Sequence, residues 1–208
     1  MANTTYKGTL RSEGGYSSIA TNSTTGAETT QMSVSSAGVA SLDANKMSTE
    51  AGAGITGGTG TVYKSSVIRT GGIIKTEILI DLTGLRSTAS GDIIGINGTS
   101  EVCHIGQITA ARNGTILGGR MTCLEAPAGG DPDINVYSAT EGTGVEDGAI
   151  SSLTETALVD AGDSTLGSID IFTAVPAADE YLYLTLGSAT DADYTAGKLL
   201  IEFWGYEA

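Results

Sequence analysis

Few residues in this chain could carry covalent or acid–base chemistry. Its single imidazole is His104, which follows Cys103, one of two cysteines; the other is Cys123. A Cys–His nucleophile needs both side chains together, but neighbours in an extended segment point to opposite faces, which disfavours the dyad. One His and two Cys also fall short of a zinc ligand set. Carboxylates are more numerous. Asp131 and Asp133 in GGDPD, and Asp191 and Asp193 in TDADY, stand two apart, the spacing with which calcium loops present oxygen ligands. Neither stretch carries the full EF-hand pattern, and a hydrated acidic loop is the competing reading. Residue type permits a two-carboxylate glycosidase, yet such clefts are usually lined with aromatics, and this chain has one Trp, close to its end. TGGTGT is followed by no GK[ST] and opens no helix, so it is not a phosphate loop. These patterns imply no enzyme and no cofactor.

The surrounding sequence explains why such groups are sparse. Of 208 residues only 16% are charged and 5% aromatic, while 30 are Gly, a mixture unlike that of a coiled coil or helical bundle. Hydrophobic residues reach 40% and recur in runs, which argues against simple disorder. A formal charge of −14 disfavours direct binding of nucleic acid. The opening MANTTYKGTL has no apolar signal region, and no apolar run approaches the roughly 18–20 residues of a membrane span. We therefore expect a soluble product of a cytoplasm. Charge is unevenly spread: residues 1–120 carry nine cations and eight acids, whereas 121–208 carry Lys198 and sixteen acids. This reads either as a hydrated acidic surface or as an outward-facing C-terminal part, with the near-neutral N-terminal part meeting a partner.

Residues 1–60 are dominated by Thr, Ser, Gly and Ala, with isolated apolar positions at Tyr6, Leu10, Tyr16, Ile19, Met32, Val34, Val39, Leu42, Met47 and Ile55. Too little apolar surface is present to offset the entropy of ordering. The segment is expected to be an extended arm ordered along another chain, with a reach on the order of 200 Å. Lys7, Arg11 and Lys46 would register it against acidic patches. A short helix over Asp43–Ala51, capped by Asp43, and a hinge at AGAGITGGTG (51–60) complete this reading.

Beyond residue 60 the apolar period becomes two. Strands are expected at Val62–Thr70, from Ile73 to Leu82, at Ile93–Ile96, Val102–Ala110, Thr115–Leu124, Asp133–Ser138, Ser152–Val159, Leu166–Ala174, Glu180–Leu186 and Lys198–Tyr206, the last being the most apolar and central. Asn113-Gly114 is the strongest hairpin signal. A three-residue loop there would set Cys103 opposite Cys123; a two-residue loop would separate their faces, leaving two buried thiols or a disulfide both open. The pattern over 61–208 suits an all-β fold, an antiparallel β-sandwich of jelly-roll type.

In style the chain resembles tailed-bacteriophage virion proteins, and more narrowly head decoration or cement proteins. The segments that carry the likeness are MANTTYKGTLRSEGGYSSIATNS and GKLLIEFWGYEA. The resemblance implies jelly-roll subunits that trimerise on the capsid exterior, arms that lace across the major capsid protein, and no catalytic residues. Three other roles stand beside it: a head or tail fibre or adhesin module that binds a host surface or glycan, a shell component of a non-tailed jelly-roll virus, and a hydrolase on a β-sandwich.

Overall fold

Alternation of apolar and polar residues dominates the folded chain. The computed structural model describes residues 49–188 and 192–207, and the backbone of three earlier strands: β1 (Tyr16–Thr21), β2 (Glu28–Val34) and β3 (Ala40–Leu42). Two compact units result, Met1–Lys46 and Met47–Ala208. In the first, β1, β2 and β3 pair antiparallel in that order, with a bulge between Ser18 and Ile19. These strands hydrogen-bond to one another, where an extended arm was expected.

The second unit is built on two antiparallel sheets. The five-stranded sheet contains β4 (Val62–Thr70), β5 (Ile73–Asp81), β8 (Thr115–Ala128), β11 (Ile169–Ile171) and β14 (Ala196–Tyr206), in the order β11-β8-β14-β5-β4. The four-stranded sheet contains β7 (Gly106–Gln107), β9 (Ile134–Ala139), β10 (Glu155–Val159) and β12 (Tyr181–Leu186), in the order β10-β9-β12-β7. Two short strands, β6 (Arg86–Ser87) and β13 (Ala192–Asp193), pair separately. The chain passes from β8 in one sheet to β9 in the other. It later runs alongside that path twice: β10 to β11 on one side, β12 to β14 on the other.

Inward residues of both sheets join one core. Ile78 and Ile80 of β5, Met121 and Cys123 of β8, and Leu199, Ile201 and Phe203 of β14 cluster with Val136, Leu182 and Leu184 of the smaller sheet. Period two explains the selection, because every second residue of β5 and of the first part of β14 is buried. β14 lies centrally, as its apolar sequence predicts, and pairs along its length with both β5 and β8.

Three local expectations are corrected. First, the unit boundary falls after Lys46, and the glycine-rich stretch is no hinge: residues 53–56 form a one-turn helix, α1 (Ala53–Thr56), whose Ile55 is wholly buried in the core. A Cβ on Gly52 would lie 2.1 Å from the Val102 carbonyl oxygen, and one on Gly54 would lie 2.4 Å from Cys103 Sγ. Glycine here permits close approach, and Gly52 N–H and Gly54 N–H donate to the carbonyls of His104 and Val102. The expected helix over Asp43–Ala51 is absent from its described part, residues 49–51; Asp43 lies outside the described residues.

Second, no hairpin forms at Asn113-Gly114. Residues 110–113 make a short helix, α2 (Ala110–Asn113), capped by Thr109, and β7 and β8 belong to different sheets. Asn113 is buried, donates through Nδ2 to Thr76 Oγ1 at 2.8 Å and accepts from Thr109 N–H at 2.9 Å. Gly114 (φ 67°) crosses beneath the Tyr206 carbonyl, where a Cβ would come within 2.2 Å. Third, the segments expected as strands at 93–96 and 102–110 contribute only isolated bridges and the two-residue β7.

If residues 51–60 belong to the core, Ile55→Ala costs about 2–5 kcal/mol in denaturant unfolding. A loss below about 0.5 kcal/mol, as at an exposed site, would return the segment to a hinge.

Candidate interaction face

The groups that sequence reading placed first do not converge. Cys103 and Cys123 are buried, unbonded thiols, and burial pushes Cys103 up to about 12, beyond the reach of a reactive thiolate. His104 packs between Tyr181 and Tyr183, at centroid distances of 5.0 and 6.4 Å, and burial holds it below the usual imidazole range. Asp131 is already engaged: it accepts from Asp133 N–H in its own loop at 2.9 Å and from the Ser188 hydroxyl, while its carbonyl takes the Tyr194 hydroxyl. Burial, then the like charges of Asp131, Asp163 and Asp160, raise Asp133 above the ordinary carboxylate range. Asp193 is exposed on β13 opposite Arg86, and Asp191 lies outside the described residues. Among the described residues, no three His, Cys, Asp or Glu side chains are grouped to hold a metal ion.

Of the expected partner-binding residues, Tyr6, Lys7, Leu10, Arg11, Val39 and Lys46 lie outside the described residues. Tyr16 and Ile19 fall in β1, Val34 in β2 and Leu42 in β3, where only the backbone is described.

A different arrangement stands on the outer face of the five-stranded sheet. Glu202 sits mid-strand on β14 and points away from the core, yet its side chain is only 3% exposed. Strand register puts Glu77 of β5 on one side of it and Arg120 of β8 on the other, with Ser66 and Ile171 completing the row. Lys75 Nζ reaches Glu202 Oε1 at 2.6 Å and Glu77 Oε1 at 2.7 Å. Arg120 gives Glu202 Oε2 a two-pronged contact, Nε and NH2 both at 2.6 Å. Trp204 lies beside both cations, 6.0 Å from Lys75 Nζ and 5.6 Å from Arg120 Cζ.

Electrostatics follow from this geometry. Burial alone would raise the Glu202 carboxyl, but the hydrogen bonds from Lys75 and Arg120 outweigh it and the net shift is downward. The same contacts raise Lys75. Nearby, a register shift between Lys198 and Leu199 leaves Leu124 unmatched; with Lys64, Leu79 and Leu200 it lines an open groove of about 330 Å³. The sequence offered one clue to this cluster: Lys75, Glu77 and Glu202 interrupt otherwise apolar strands at period two. Which residues face each other became legible only with register.

No family model matches this sequence, and searches of curated proteins and of solved structures give no significant match.

The network makes two removals unequal. Glu202→Gln costs about 1–2 kcal/mol, since its cations remain about a third exposed. Replacing both Lys75 and Arg120 with Met strands a buried carboxylate and costs about 3–5 kcal/mol. The pH dependence has a defined sign. A depressed carboxyl contributes stability above its unfolded value, near 4.3, and loses it as pH falls through the lower folded value. The gap between wild type and Glu202→Gln in denaturant titrations therefore narrows below about pH 4. A gap that widens there contradicts the assignment. Asp133 runs the other way: its raised carboxyl favours the folded state below the ordinary value and penalises it as pH rises, so Asp133→Asn stabilises at neutral pH but not in acid.

Proposed function

We propose that the chain is a structural, non-enzymatic virion protein that decorates and cements a bacteriophage head. In this reading Met47–Ala208 is the β body, and Met1–Lys46 is the segment that engages the major capsid protein on the capsid exterior. The observation that carries the proposal is the division of charge between the units. Met1–Lys46 holds three cations and three acids, so the whole formal charge of −14 resides on Met47–Ala208. A neutral segment rich in small residues can lie against a neighbour without like-charge repulsion. An acidic body left facing outward keeps a crowded particle soluble.

The remaining steps are physical. Binding across several shell subunits stabilises the assembled lattice over its parts by mass action. Tyr6, Leu10, Tyr16, Ile19, Val34, Val39 and Leu42 supply apolar contacts, with Lys7, Arg11 and Lys46 as charge registers. A strand of Ser, Thr and Gly can add to a sheet edge through backbone hydrogen bonds with little demand on side chains. Extension of this segment as an arm takes place against the shell, and trimerisation multiplies weak contacts into avidity. The jelly-roll reading of the body rests on the way the path from β8 to β9 is accompanied by β12 to β14 in the neighbouring positions. No helix among the described residues is long and apolar enough to cross a membrane.

Residues 47–208 expressed alone should keep the far-UV circular dichroism of a β protein but fail to bind heads that the full chain decorates. Full occupancy by the truncated protein overturns the proposal. Binding of the isolated full chain to host cells, with none to heads, supports a fibre or adhesin role instead.

A further inference from the structure

The acidic body contains one face without net charge, and that face also carries most of its exposed apolar side chains. The strands of the five-stranded sheet hold five cations, Lys64, Arg69, Lys75, Arg120 and Lys198, and five acids, Glu77, Asp81, Glu125, Asp170 and Glu202. The rest of Met47–Ala208 holds two cations and sixteen acids. Among the described residues, eight of the ten large hydrophobic side chains that are exposed belong to this sheet, and none belongs to the four-stranded one. Ile68 of β4 is 49% exposed and Ile171 of β11 is 65% exposed, at opposite edges of the same outer face.

We propose that the outer face of the five-stranded sheet is a homotypic interface that binds the same face of a second copy of this chain. Charge selects the occupant. Two copies that approach through any other part of the body bring acid against acid, whereas the neutral sheet meets its like without net repulsion. Area agrees. Five strands about 4.8 Å apart, with nine residues rising about 3.3 Å each, make a face of roughly 700 Å². A specific interface buries roughly 800 Å² per partner.

The composition of the centre agrees as well. Arg and Trp are the residues that most often anchor interfaces, and Arg120 and Trp204 stand together there. Glu202 is already clamped by Lys75 and Arg120, so covering it leaves no carboxylate without a partner. The groove beside Leu124 and Leu200 gives an opposing aliphatic side chain a place to enter. An isologous contact of this kind makes a closed pair by itself, independent of Met1–Lys46 and of the capsid reading.

Sedimentation of the full chain from about 1 to 100 µM tests this. The wild type should self-associate, and Ile68→Asp with Ile171→Asp should weaken association at least about 100-fold, because each places a carboxylate in the buried face. Ile68 is about half exposed and Ile171 more so, so the variant should keep the wild-type melting curve. A milder variant, Ile171→Lys, should weaken association in the same direction and guards against misfolding of the first. Val175→Asp, 48% exposed but outside the sheet, should associate like wild type. A monomeric wild type over this range overturns the proposal, as do face variants that associate unchanged. Failure of the capsid-binding test leaves this result untouched.

Discussion

The body depends on one strand doing two tasks at once. β14 pairs with β5 on one side and β8 on the other, so it closes the five-stranded sheet from within. Its inward residues Leu199, Ile201 and Phe203 are wholly or almost wholly buried in the core shared with the smaller sheet. Its outward residues Glu202 and Trp204 organise the Lys75–Arg120 network. Each choice along β14 therefore constrains both faces, and a register slip of one residue would exchange a buried carboxylate for Ile201 or Phe203. The clamped carboxylate adds a second, polar specification of that register. A buried charge contributes little net stability, but its cations have to arrive from particular positions on both neighbours.

Much of the sheet scaffold was legible in the sequence. β4 matches its expected bounds, β5, β12 and β14 lie within a residue or two of them, and β14 is central as its apolar run implied. These strands follow from alternation, which is a local property. The errors share a cause. Asn113-Gly114 is a strong hairpin signal by local turn chemistry, but Asn113 is instead drawn into the core by Thr76, distant in sequence. The glycines at 52 and 54 carry no mark that distinguishes a hinge from a close approach, because the 101–103 segment that crowds them is also distant. In the candidate site, the residues of the Glu202 network come from three strands, and no spacing rule in one sequence joins positions 75, 120 and 202.

Two parts of the chain carry no net charge. One is the Met1–Lys46 segment; the other is the partly apolar outer sheet of an otherwise acidic body. A region without net charge can meet its like without repulsion, whereas an acidic one resists contact, and the distribution of charge provides both. His104, the two thiols and Asp131 are each committed to packing or to loop hydrogen bonds.

The dual role of β14 is open to direct measurement by amide hydrogen exchange on the full chain, resolved by strand. The account predicts that β14 and the facing amides of β5 and β8 exchange only through global unfolding, more slowly than those of β4 and β11 at the sheet edges. Exchange of β14 as fast as the edge strands would contradict it, since the strand would then not be the element on which both the core and the charged outer face are built.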